Sequence, residues 1–239
     1  MFVLSFGMQK SASLLLTRYT INLLRMALPS NGHLEFEALI RDGVLQGGGC
    51  FPWGGWEYKK DLLCDLADRH GPFVVKSHGA LTQPVQRLIE AGAKAIYSMR
   101  DPRDILLSLI DHGALNKSRG GGVFEEHTNV ENTLPKVMEI CVCAYTWFLS
   151  DLPCIFRYRD LVSQPHVEVG RLAKHLEIDA SDEIIDRIVE KERRKREKGK
   201  DCFNTGLLTR FRDEMSPDGI RLCNDTLGFY IEQLGYSLD

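Results

Sequence analysis

The first half of the chain repeats a strand-then-helix rhythm of apolar and polar positions. Phe2-Val3-Leu4 reads as a short buried strand. A polar turn with Gly7, Lys10, Ser11 and Ser13 follows, and the periodic apolar run from Leu14 to Leu28 predicts a helix that stops at Pro29-Ser30-Asn31-Gly32. Residues 33 to 56 are less regular. Their glycines between Trp53 and Trp56 suit either a mobile cover over a substrate or a surface loop anchored by its tryptophans. A helix is predicted over residues 57 to 69, ended by Gly71-Pro72, and Phe73-Val74-Val75-Lys76 is a second strand running into Ser77-His78-Gly79. Thr82 and Pro84 open a helix that closes at Gly92, and Ala93 to Met99 is a third strand. Asp101 is a good N-cap and Pro102 a good first residue for the next helix, from Arg103 to Leu109. After the glycine-rich connection at Gly120-Gly121-Gly122 come an apolar helix over residues 134 to 149 and a fourth strand, Cys154 to Tyr158. The remainder is mostly helical, with a basic run from Lys191 to Lys198 that reads as a solvated helix end and a last helix starting near Ser216-Pro217.

Strands alternating with helices predict an α/β fold, here a single domain over residues 1–239 with a parallel central sheet flanked by helices. Ligands of such sheets bind beyond the carboxyl ends of the strands. Lys10, Lys76 with His78, Arg100, and Tyr158 each lie just past such an end. The turn between the first strand and its helix is an anion site on backbone grounds alone, because its N–H groups are unpaired and the helix dipole favours negative charge there. Lys10 adds a full charge, and Ser11 and Ser13 add hydroxyls. It is not the nucleotide loop of P-loop NTPases, which needs glycine directly before the lysine, where this chain has Gln9.

Composition narrows the partners. A net charge of -3 with 26% charged residues argues against a nucleic-acid polymer, whose binders are usually basic. Seven cysteines without a C-x-x-C pair give neither a zinc site nor a disulfide framework, and Cys141 and Cys143 fall in an apolar helix as packing residues. No apolar run approaches the roughly 18 residues of a membrane span. With a strand starting at residue 2 there is no room for a signal peptide, so the expectation is a soluble cytoplasmic protein with reduced thiols.

Taken in order, these blocks resemble the PAPS-dependent sulfotransferases, soluble bacterial-type members of a P-loop-like fold. Gln9-Lys10-Ser11-Ala12-Ser13 is similar to the family's 5′-phosphosulfate loop P-K-S-G-T-T, and Lys76-Ser77-His78 to its K-T-H segment. Arg100-Asp101-Pro102-Arg103-Asp104 through Ser108 resembles the 3′-phosphate block R-[ND]-P-R-D-x-x-x-S, and Tyr158-Arg159-Asp160-Leu161 resembles Y-E-D-L. The resemblance implies PAPS as sulfonate donor, PAP as product and no metal. Lys10, Ser11, Ala12, Ser13 and Leu14 would hold the 5′ end, Arg100 and Ser108 the 3′-phosphate, and Tyr158 would lie near the adenine. Asn204-Thr205-Gly206 stands in the place of R-K-G, keeping the glycine and losing two cations, for which Lys198 or Lys200 could substitute. Two further departures are Ala12 for a glycine and Leu15 where many members carry an adenine-stacking tryptophan, so weaker cofactor binding is expected.

The residue types suit the chemistry. Sulfuryl transfer resembles phosphoryl transfer, with a loose in-line transition state that needs positioning and charge. Lys10 would stabilise the leaving oxygens, Lys76 would hold the sulfonate, and His78 would take the proton of an acceptor hydroxyl or amine. A small-molecule, carbohydrate or lipid acceptor is implied, without a chemical signature of which, and the oligomeric state is open. The alternatives are a nucleotide-binding protein of this fold with little activity and a Mg²⁺-dependent small-molecule kinase.

Overall fold

The structure is a computed structural model in which residues 1–28, 47–48, 51–52, 59–197 and 208–239 are described. Its centre is a four-stranded sheet of β1 (Phe2–Gly7), β4 (Phe73–Lys76), β5 (Lys94–Met99) and β6 (Cys154–Arg157), every neighbouring pair parallel, in the order β4-β1-β5-β6. A two-residue antiparallel pair, β2 (Gly47–Gly48) with β3 (Phe51–Pro52), lies in the glycine-rich stretch.

Period-two alternation divides the core. Phe2, Leu4, Phe6, Phe73, Val75, Ala95 and Tyr97 face one side of the sheet. There they meet α2 (Lys60–His70), α3 (Gln83–Glu90), α4 (Pro102–Ser118), α5 (Val130–Ser150) and the long helix near the end of the chain, Pro217–Gln233. Val3, Val74, Ile96 and Phe156 face the other side. These pack on α1 (Ser13–Ala27), and on α6 (Tyr158–Ser163), α7 (Pro165–His175) and α8 (Asp182–Glu197). After α8 come α9 (Phe211–Glu214) and α10, the helix Pro217–Gln233 already named. Burying both faces is what a parallel sheet requires, and it explains why its strands read as nearly continuous apolar runs.

Several boundaries differ from the sequence expectation, among them the helix expected over residues 134–149, which starts at Val130 behind an Asn129 cap, and three others with a local reason. β1 continues through Ser5 to Gly7, because the Ser5 hydroxyl is satisfied 2.8 Å from the Thr17 hydroxyl of α1. The helix expected over residues 103–109 runs from Pro102 to Ser118, continuing through Gly113, where a Cβ would stand 2.3 Å from the Phe124 carbonyl oxygen. Tyr158, read as the end of the fourth strand, is instead the first residue of α6.

The topology places the site. The chain passes from β1 to β4 on one side, then crosses back to β5 on the other, so the strand order reverses between β1 and β5. Loops leaving those two strands therefore border the crevice where such sheets take ligands. Among the described residues, no helix is long and apolar enough to cross a membrane.

Candidate active site

The loop Met8–Ala12, between β1 and α1, is built around a serine that points inward. The Ser11 hydroxyl donates to the carbonyl oxygen of Met8 at 2.6 Å and lies 2.7 Å from the Ser98 hydroxyl on β5, while the Met8 N–H donates to the Ser98 carbonyl at 3.0 Å. Ser11 thus fastens the loop to the central strand: its hydroxyl, read in the sequence as an anion donor, is committed inside the fold, and its backbone N–H donates to the Met8 carbonyl at 3.3 Å. Gly7 permits that closeness, because a Cβ there would stand 2.0 Å from the Ser98 hydroxyl oxygen. Ser13 is buried in the first turn of α1, and Leu14 beside it is half-buried. Leu15 is buried in the core beneath α1, so it offers no platform for a base.

Lys10 and Ala12 both adopt left-handed backbone, with φ of 65° and 62°. An L-residue there costs about 1–2 kcal/mol that glycine avoids. The methyl of Ala12 recovers part of this by packing on the core of α1. Ala12→Gly should therefore stabilise the fold by about 0.5–1 kcal/mol, read as a raised denaturation midpoint at constant m-value. A destabilised variant would show the methyl contact to outweigh the strain.

Beside this loop, Lys76 and His78 face one side. The His78 Nδ1 lies 2.6 Å from the carbonyl oxygen of Gly7, and its Nε2 lies 2.7 Å from the Lys76 ammonium. A carbonyl only accepts, so Nδ1 carries the proton and Nε2 presents the lone pair. Burial first, then the charges of Lys76 and Lys10, lower the imidazole from 6.5 to about 4, so His78 is neutral at physiological pH. The loop carrying it is held from α5. The buried Trp147 indole donates to the Gly79 carbonyl at 3.0 Å, and the Leu81 N–H donates to the Thr146 hydroxyl at 3.1 Å.

At the end of β5 the two arginines of Arg100-Asp101-Pro102-Arg103-Asp104 part ways. Arg100 is buried against the site. Its guanidinium lies 4.0 Å from the ring centre of Tyr158, and its Nη1 donates to the Lys10 carbonyl at 3.3 Å, so the expected 5′ and 3′ subsites adjoin. Asp104 lies 3.6 Å from Arg100 and accepts the backbone N–H groups of Thr209 and Phe211, each at 3.1 Å. Burial raises its carboxyl above the usual range, against the pull of Arg100 and of those N–H groups. Ser108 is buried one turn further along α4. Arg103 instead turns away, pairing with Asp101 (Nε to Oδ1 at 3.0 Å, Nη2 to Oδ2 at 2.8 Å) and reaching Asn224, Ser237 and Leu238.

The glycine-rich connection after α4 also reaches the site. Phe124, at φ 74°, places its ring centre 5.3 Å from the Lys10 ammonium and 5.7 Å, edge-on, from His112. Asn204, Thr205 and Gly206, with Lys198, Lys200, Trp53 and Trp56, lie outside the described residues. Of the residues that hold the site, Gly7, Ser98, Trp147 and Phe124 carry no sequence signal for that role, since each acts through a partner distant in the chain. The glycine-rich loop was the one visible hint of Phe124.

Comparison with known proteins adds the family. No curated protein sequence matches the chain significantly. Among solved structures, retinol dehydratase in complex with androsterone and inactive cofactor PAP shares 14% identity, with 97% of this chain and 80% of that one covered at a TM-score of 0.60. Mouse sulfotransferase SULT7A1 complexed with PAP shares 13%, with 98% and 88% covered at 0.64. The sulfotransferase domain of the Synechococcus PCC 7002 olefin synthase shares 15%, with 100% and 96% covered at 0.50. At such identities these show a common fold. The family model described as the sulfotransferase domain matches residues 50–224, well over half of the sequence, and the chain therefore belongs to the sulfotransferase family.

Proposed function

We propose that the chain moves a sulfonate from PAPS to a hydroxyl or amine of a small-molecule acceptor, with His78 as general base. The observation that carries the reading is the Gly7 carbonyl–His78–Lys76 arrangement beside the Lys10 loop, which gives a tautomerically fixed base among cations. The residues fit the donor. The β1–α1 loop carries Lys10 at a helix N-terminus, whose first N–H groups favour an anion, and Arg100 stands over the Tyr158 ring and donates to the Lys10 carbonyl of that loop. Structures of the same fold hold PAP together with androsterone or retinol, which favours a small apolar acceptor over a glycan.

PAPS, when bound, supplies a sulfonate on a phosphate leaving group. Lys10 and the first N–H groups of α1 hold the 5′ end and meet the charge that grows on the leaving oxygen. Arg100 would hold the 3′-phosphate, with Ser108 one helical turn beyond Asp104, and the Tyr158 ring backs its guanidinium at 4.0 Å. His78 Nε2 receives the acceptor's proton while the Gly7 carbonyl stabilises the imidazolium that results.

The test is discrimination by the 3′-phosphate. Wild type should bind PAPS roughly ten- to a hundredfold tighter than APS, which lacks that group, since a charge-assisted hydrogen bond contributes about 1.5–3 kcal/mol. Arg100→Ala should erase the difference, weakening PAPS far more than APS, whose smaller loss reflects the Arg100 bond to the Lys10 carbonyl. Equal affinity of the wild type for both nucleotides overturns the assignment.

A further inference from the structure

We infer that Lys76 caps the catalytic base, so that the sulfonate donor must be in place before His78 can take the acceptor's proton; this rests on the reading of His78 as the base. The neutral ring has one lone pair, on Nε2, because Nδ1 spends its proton on the Gly7 carbonyl. That lone pair is where the Lys76 ammonium sits, 2.7 Å away, and an ammonium can only donate. An acceptor hydroxyl arriving at this site finds its proton acceptor engaged.

The charges around the ring hold the cap in place. Lys76 at the end of β4 and Lys10 from the β1–α1 loop both face His78, and the Gly7 carbonyl is the group that favours its protonation. A proton on Nε2 would set an imidazolium 2.7 Å from an ammonium, partly buried, with a second ammonium nearby.

Donor binding reverses this balance. Sulfonate and phosphate oxygens are stronger acceptors for an ammonium than a neutral imidazole. Lys76 carries its charge on a flexible four-carbon stem, so its Nζ can turn from Nε2 to those oxygens without moving β4. With Lys76 neutralised against the anion, the lone pair opens and the base strengthens in one step. Proton removal is thereby tied to an occupied donor site.

The test follows the His78 imidazole by NMR in histidine-labelled enzyme, the signal being assigned by its loss in His78→Ala. PAP is the probe, and Lys76→Met the variant, with Lys76→Gln in its place should the first not fold. In wild type, PAP should raise the His78 titration by about one pH unit or more. Lys76→Met without PAP should already show a raised titration, and PAP should add less to it than to the wild type. If PAP shifts wild type and variant equally, or the variant titrates where wild type does, the cap is wrong. If PAP binds and leaves His78 unmoved, the cap also fails while the sulfotransferase reading stands. If PAP does not bind wild type, as read independently by calorimetry, that reading itself fails.

Discussion

Replacing His78 by alanine should lower turnover by about 10²–10⁴-fold, the usual range for a positioned acid–base group, and leave PAP affinity nearly unchanged. The ring touches the Gly7 carbonyl and Lys76, so its loss removes the proton acceptor and spares the 5′ and 3′ grips. The pH profile gives a second reading of the same residue. A base works when neutral, and His78 is lowered from 6.5 to about 4. The acid limb of kcat/KM for PAPS, which reports the free enzyme, should therefore fall near pH 4, with activity kept as pH drops through 6.5. A capped base also puts the acid limb of kcat above that of kcat/KM. Near-normal turnover in His78→Ala would move the role to another group. His112 would be examined first, because it stacks edge-on against the Phe124 ring that covers Lys10.

Arg103→Ala should cost about 3–5 kcal/mol of folding stability, as removal of one partner of a buried ion pair does. That is a large part of the roughly 5–15 kcal/mol that holds an ordinary domain together. The side chain is 1% exposed, lies 3.8 Å from the Phe211 ring centre, and holds both oxygens of Asp101, the N-cap of α4. It also donates to Asn224 and to the carbonyls of Ser237 and Leu238, which lie beyond the end of α10. Alanine would take the donor from Asp101 Oδ2, Asn224 Oδ1 and the Ser237 carbonyl, while Asp101 Oδ1 keeps the backbone N–H of residue 103 and the Leu238 carbonyl keeps the Asn224 amide. Chemical denaturation measures the change, and a loss under about 1 kcal/mol would mean that water or a neighbour replaces the guanidinium.

Signals carried by neighbouring residues were legible before the structure. A short continuous apolar run gave Phe73–Lys76 with the bounds observed, and Asp101-Pro102 gave the start of α4. The parallel sheet with helices on both faces followed from the alternation of strand and helix. What escaped depends on contacts distant in sequence. Nothing near Ser98 says that it meets Ser11 across 87 positions, since that contact arises from the β1–β5 register. The Gly7 carbonyl that fixes the His78 tautomer lies 71 positions from the ring. Arg100 and Arg103 look alike in the sequence, three residues apart in one motif. They part because one faces the β1–α1 loop and the other the residues that follow α10. The end of α4 was missed for a different reason, as polar residues such as Asp111 and Lys117 break the apolar period without breaking a helix.

The most direct measurement incubates the protein with PAPS carrying a radiolabelled sulfonate and a panel of small hydroxyl and amine acceptors, in the presence of EDTA. Lys10, Lys76 and Arg100 supply the positive charge at the site, so label should pass to an acceptor with matching release of PAP. It should do so at the same rate with and without the chelator, and His78→Ala should abolish nearly all of it. Binding of PAP without transfer to any acceptor, or transfer that returns only with added Mg²⁺, would contradict sulfonate transfer by this site.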